Sequence, residues 1–234
     1  MAPAEPVTPM ASAGSASPTA PAGSAPSAAA SPTAGASTAA SPVATPSGAA
    51  SATTVRLSLV APAVNTALRE ARFDDSGPVE PVGRGPLAVS AGTLVLRSPS
   101  GRCRATAEAL GLPDVPAEEA LAGCAMGRWQ GRTLAEIAAE DAESTAAWLS
   151  DPAAAPHGGE SLRELRARVG AWVAGLEPGR VLVFAEPDVI RAAVAHALGA
   201  PEEVFWRLDV RPLQCVELSG RSGRWNLRLG APLR

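Results

Sequence analysis

Arg180-Val181-Leu182-Val183-Phe184-Ala185-Glu186-Pro187-Asp188-Val189-Ile190-Arg191-Ala192-Ala193 is the stretch that decides the fold. Residues 180–185 are almost continuously apolar, with no alternation of polar and apolar positions. A strand of that kind is covered on both faces, as in the middle of a parallel sheet. Asp188 is a candidate N-cap for a helix over residues 189–198, and Gly199 would close it. A covered strand running directly into a helix is the building unit of an α/β sheet.

The flanking sequence repeats the pattern. Upstream, Ser161 and Glu164 have the spacing of a capping box, and so do Thr133 and Glu136. Behind Ser161, residues Leu162, Leu165, Val169, Trp172, Val173 and Leu176 share one helical face. Residues 55–60 and 93–96 read as two further strands. A helix over residues 102–110 follows the second and ends at Gly111 and Pro113. Downstream, residues 214–218 and 224–229 flank Ser219-Gly220-Arg221-Ser222-Gly223 as a closing hairpin. Together these elements predict a three-layer α/β/α sandwich around a mainly parallel sheet. Ligands of such sheets sit beyond the C-terminal strand ends, here residues 61–63, 98–102 and 186–188.

Composition sets the outer limits. The chain has 234 residues and a net charge of −3, which gives no electrostatic case for nucleic acid or an anionic membrane. No apolar run approaches the roughly 18 residues of a membrane span, so a soluble, cytoplasmic protein is expected. Cys103, Cys124 and Cys215 form neither a CxxC pair nor an even framework, which argues for reduced thiols and against structural zinc. All 20 basic residues are Arg, a bias of a GC-rich coding sequence that weakens the Arg count as a binding signal. Residues 1–54 are almost wholly Ala, Pro, Ser, Thr and Gly, with Glu5 as the only charge. Such a segment buries too little apolar surface to offset its ordering entropy, so a disordered tail or spacer is expected there. A start downstream of Met1 or Met10 is the alternative reading of it. Residues 55–234 form the expected domain.

Several segments of that domain, in order, carry a resemblance. Arg97-Ser98-Pro99-Ser100-Gly101-Arg102 followed by Thr106-Ala107-Glu108 resembles an SPxxRxxxTAE segment. Gly127-Arg128-Trp129-Gln130-Gly131 resembles G-x-W-x-G, and Ala155-Pro156-His157-Gly158-Gly159-Glu160-Ser161 a PxGGES turn. Val189-Ile190-Arg191-Ala192, Phe205-Trp206-Arg207-Leu208 and Arg224-Trp225 resemble VIRA, FWRL and GRW. The set is similar to the histidine phosphatase, or phosphoglycerate mutase-like, superfamily in its GC-rich actinobacterial branch, over residues 55–229. The segment between Phe73 and Leu94 departs from it. Gly83, Gly85 and Pro86 stand where the family has a longer helix, so one sheet face is expected to be less well covered.

The resemblance implies a known chemistry and locates its gaps. The family attacks phosphorus with a His after the first strand and holds the phosphate with Arg forks. It adds a second His after the central strand and protonates the leaving oxygen with Asp or Glu. In this chain the nucleophile position is Pro62, between Ala61 and Ala63. The second His position is Glu186, and the acid position is Gly123. Arg102 remains as the phosphate-binding residue, with Arg104 and Arg191 as further candidates. Ala61, Ala63, Ser98, His157 and Glu160 are the expected pocket rim. His196 reads as helix packing, and Trp129 and Trp206 as core or rim. Cys103, between Arg102 and Arg104 near a helix start, has a setting that lowers a thiol pKa. Neither Cys103 nor Cys124 opens a C-x5-R loop, because Ala109 and Gln130 stand six residues on. No metal or organic cofactor is implied.

Three losses at three separate positions point to a pseudophosphatase that binds a small phosphorylated ligand or a protein partner. The rival reading is a phosphomonoesterase or mutase relative with a rebuilt site using Cys, Glu or water. A decayed sequence without selected function is opposed by the intact caps and apolar faces.

Overall fold

The computed structural model describes residues 53–74 and 76–229. The chain divides into Met1–Ser47 and Gly48–Arg234, and the described residues lie in the second unit. The tail expected over residues 1–54 falls outside the described residues except for Thr53 and Thr54.

Five strands form one sheet: β1 (Val55–Val60), β2 (Thr93–Arg97), β3 (Gly179–Phe184), β4 (Cys215–Arg221) and β5 (Arg224–Arg228), in the order β2-β3-β1-β4-β5. The pairs β2/β3 and β1/β3 are parallel, and β1/β4 and β4/β5 are antiparallel. The parallel character therefore belongs to the three strands whose ends point toward the site, and an antiparallel pair extends the sheet beyond β1.

The run that opened the sequence reading is in the middle of this sheet. Val181 and Val183 of β3 enter one core with Leu57 and Leu59, while Leu182 and Phe184 enter a second core on the opposite face. Burial on both faces explains why the run does not alternate. Each such fully buried large side chain contributes about 1.5–3 kcal/mol of transfer free energy. The first core is closed by α5 (Leu162–Ala174) and α6 (Pro187–Ala197), through Leu165, Val169, Val173, Ile190 and Val194. The second is closed by α2 (Gly101–Ala109), through Cys103 and Ala107. Residues 76–92 form no helix. Val82 and Val89 of that stretch lie against the second core and Leu87 stays exposed, so a loop rather than a helix covers this part of the sheet face.

A smaller apolar cluster joins Met126, Trp129, Ile137 and Trp148. It is carried by α3 (Leu134–Glu140) and α4 (Ala142–Ser150), and a single turn, α1 (Thr66–Arg69), follows β1. Both capping boxes form: Thr133 with Glu136 ahead of α3, and Ser161 with Glu164 ahead of α5. No helix among the described residues is long and apolar enough to cross a membrane.

Two local expectations change. Asp188 is not the N-cap of α6. Glu186 occupies that place and Pro187 is the first helical residue, where its missing N–H costs nothing. The closing hairpin is also tighter than residues 219–223 suggested. Arg221 pairs with Arg224 around Ser222-Gly223, whose φ values of 51° and 77° give the two-residue turn with both central residues left-handed.

Candidate functional site

A cleft of about 580 Å³ opens beyond the ends of β2 and β3. That volume is within the range of small-molecule sites. Ser100, Arg102, Gly123, Cys124, Glu186, Asp188 and Arg191 supply its polar floor. Phe73, Met126, Leu134, Trp148, Leu162 and Phe205 supply apolar walls, and Leu68, Leu149 and Trp206 stand at its mouth.

The floor is organised by Glu186. It begins α6 at the end of β3, opposite the N-terminus of α2. Arg102 donates to it through Nη2 to Oε2 and through Nε to Oε1 at 3.3 Å, forming an ion pair with both side chains under a tenth exposed. The Ser100 hydroxyl donates to Oε1 at 2.8 Å, and the Cys103 thiol lies 3.7 Å from the same oxygen. Ser100 also caps α2, its Oγ accepting from the Cys103 N–H at 3.0 Å. The guanidinium fork, the hydroxyl and the positive end of a nine-residue helix thus converge on one carboxylate. These are the donors that a phosphate group would use. A phosphomonoester could reach Arg102 only by breaking a buried ion pair, a penalty of about 3–5 kcal/mol. That is a weakening of roughly 10²–10⁴-fold.

Pro62 and Gly123 are placed differently. Pro62 does not line the cleft. It is buried in a segment tied down by the Ala61 N–H to Gln214 O at 3.0 Å and the Ala63 N–H to Thr106 Oγ1 at 2.9 Å. Gly123 does line the cleft, and a Cβ there would stand 3.6 Å from Asp188 Oδ2 and 3.7 Å from Glu186 Cγ. Asp188 therefore places a carboxyl beside Gly123, a placement the sequence reading missed by assigning Asp188 to a cap. Its Oδ2 accepts from the Cys124 N–H at 2.7 Å and its Oδ1 from the Val189 N–H at 2.8 Å. Burial, reinforced by Glu186, pushes this carboxyl above the usual range.

The candidate arginines separate. Arg104 is exposed and does not line the cleft, because it follows Arg102 by two positions and so leaves the helix on another side. Arg191 does line it. Its Nε donates to Leu208 O at 2.8 Å and its guanidinium carbon lies 5.8 Å from the centre of the Phe205 ring. Burial pulls its pKa down, against the opposing pull of Asp188 and Asp209.

The expected rim requires correction, since none of its five residues lines the cleft. Ala61, Ala63 and Ser98 are buried, held by strand-end hydrogen bonds such as the Ser98 N–H to Phe184 O at 2.7 Å. His157 is in the core against Trp129, 5.1 Å between ring centres, and its Nδ1 accepts from the Gly159 N–H at 3.0 Å. Its Nε2 is buried with no partner among the described residues, and burial holds its pKa below the ordinary value. Glu160 is a brace. It pairs with Arg168 at 2.6 Å, whose Nη1 also donates to the carbonyls of Ala120 and Ala122 at 2.9 and 3.1 Å, steadying the turn that leads to Gly123. His196 packs on Gly170, where a Cβ would collide with its ring. Trp129 is core, and Trp206 lines the mouth.

No thiol is activated. Burial first, and Glu186 second, push Cys103 well above its usual pKa, reversing the expectation drawn from its two Arg neighbours. Burial does the same to Cys124, with Asp188 adding to it. Among the described residues, no group of three or more His, Cys, Asp or Glu is placed to hold a metal ion.

Comparison with known proteins agrees with the fold. The profile of the histidine phosphatase superfamily (branch 1) matches residues 87–231. The Bifunctional protein Rv2228c of Mycobacterium tuberculosis is 35% identical over 133 residues, covering 53% of this chain and 36% of that protein. The adenosylcobalamin/alpha-ribazole phosphatase of Escherichia coli is 30% identical over 89 residues, covering 36% of this chain and 44% of that protein. The chain thus spans less than half the length of these curated relatives. Among solved structures, mycobacterial glucosyl-3-phosphoglycerate phosphatase Rv2419c in complex with VO3 superposes with a TM-score of 0.62. It is 28% identical and covers 74% of this chain and 97% of that one.

Proposed function

The chain belongs to the histidine phosphatase superfamily, branch 1, and on that premise we propose that it is a pseudophosphatase, a domain that binds a small ligand or a partner in its cleft without turning over phosphomonoesters. The observation that carries this reading is the Arg102–Glu186 pair, in which the chain's own carboxylate takes the donors that the chemistry reserves for phosphate. Pro62 has no nucleophilic atom, is buried and does not line the cleft. The raised thiols of Cys103 and Cys124 offer no replacement. Asp188 could hand on a proton, but general acid catalysis without a nucleophile has no phosphoryl group to act on. The three cysteines are free, which supports a reducing compartment, the cytoplasm, as the place of action.

The test is turnover of p-nitrophenyl phosphate and of a panel of sugar and nucleotide phosphates by the purified full chain. Arg102→Ala runs alongside, in the presence of a chelator. The expected rate is indistinguishable from that of the variant. Chelator-resistant turnover that Arg102→Ala abolishes would overturn the proposal.

A further inference from the structure

Among the described residues, the cleft has one cation, Arg191, that no carboxylate neutralises at close range. Arg102 is taken by Glu186, and Arg72 pairs with Glu70 at 3.0 Å and Glu136 at 3.9 Å. Arg191 makes no ion pair within 4 Å among the described residues, and its only hydrogen bond there leaves from Nε, so both Nη groups remain open donors. Asp188 is engaged by two backbone N–H groups, and Asp209 pairs with Arg211 at 3.1 Å. These carboxylates moderate the field at Arg191 without occupying its donors.

Beside that guanidinium the wall is aromatic. Phe205 lies under it, Trp206 meets Phe205 edge-on at 5.1 Å, and Trp148 meets Trp206 edge-on at 4.9 Å. Trp206 is 38% exposed, a large apolar surface left open at the cleft mouth. Flat hydrophobic groups bind such surfaces by burial and offset stacking. We propose that the cleft is a site for an aromatic monoanion, a carboxylate on a flat apolar body, with Arg191 taking the charged end and Trp148 and Trp206 the ring system. A monoanion suits one open guanidinium. A phosphate dianion would face Glu186 and Asp188 across the same floor, with Arg102 already occupied. This ligand class rests on the reading of the domain as a binding module, yet it is measured separately from turnover.

The experiment titrates the full-length chain with 1-naphthoate and with its uncharged analogue 1-naphthalenemethanol, following tryptophan fluorescence and confirming stoichiometry by calorimetry. Naphthoate is expected to saturate one site and to bind about tenfold or more tightly than the alcohol, the worth of a hydrogen bond to a charged group. Millimolar inorganic phosphate is expected not to displace it. Arg191→Gln is expected to erase the preference by weakening naphthoate alone, while Trp206→Ala weakens both ligands alike. Equal affinity of the acid and the alcohol for the wild-type protein overturns the proposal even if Arg191→Gln fails to fold. Displacement by phosphate overturns it too. Turnover of p-nitrophenyl phosphate with the naphthoate preference intact refutes only the pseudophosphatase reading.

Discussion

Glu186→Gln tests whether the carboxylate really fills the phosphate seat. The amide keeps the shape of the side chain and can still accept from Ser100 and from Arg102 Nε, but its charge is gone. Arg102, 5% exposed, is then a buried cation without an anion. Breaking a buried pair on one side costs about 3–5 kcal/mol, and the retained shape argues for about 3. For a domain of this size each kcal/mol lowers Tm by about 2–4 °C, so a fall of about 6–12 °C is expected. The vacated donors should then accept inorganic phosphate. At about ten times its Kd, phosphate contributes roughly 1.4 kcal/mol, or about 3–6 °C of recovery. The assay is a thermal melt of the full chain, followed by circular dichroism, in phosphate and in chloride of equal ionic strength. Wild-type Tm should be the same in both, because Arg102 is occupied. Equal phosphate stabilisation of both proteins, or an unchanged Tm in the variant, would mean that Glu186 does not hold these donors.

Three further outcomes are expected. Gly159→Ala puts a Cβ into the carbonyl of Ala125, a backbone atom that also accepts the Glu160 N–H at 2.8 Å, so it should cost at least about 3 kcal/mol, seen as lost soluble yield or a much lower urea midpoint. His157 has a folded pKa depressed by burial, so its contribution to stability is complete above the unfolded value near 6.5 and is lost as pH falls through the folded value. His157→Asn, which keeps an acceptor for the Gly159 N–H, should therefore lose less Tm than wild type between about pH 7.5 and about pH 5; parallel curves would assign the acid sensitivity elsewhere. Ser161→Ala removes the acceptor for the Glu164 N–H in the capping box of α5 and should cost about 1 kcal/mol by urea denaturation.

The elements and the family are legible in the order of the residues. A continuous apolar run at residues 180–185 meant a strand buried on both faces, and the Ser161–Glu164 and Thr133–Glu136 spacings marked two helix starts. These are local signals, because periodicity and capping depend on neighbours a few residues apart. The departures from the resemblance at Pro62, Gly123 and Glu186 were visible for the same reason, since each stands inside a recognisable segment. Tertiary structure alone decided what those positions do. Glu186 and Arg102 are 84 residues apart, and nothing in either segment announces that one neutralises the other. Asp188 looked like a cap and lies beside Gly123, His157 was expected at the pocket rim and is core, and Cys103 looked activated and is suppressed. Burial and the identity of the facing charge set each of these outcomes, and both are properties of what the folded chain brings into contact rather than of the order of its residues.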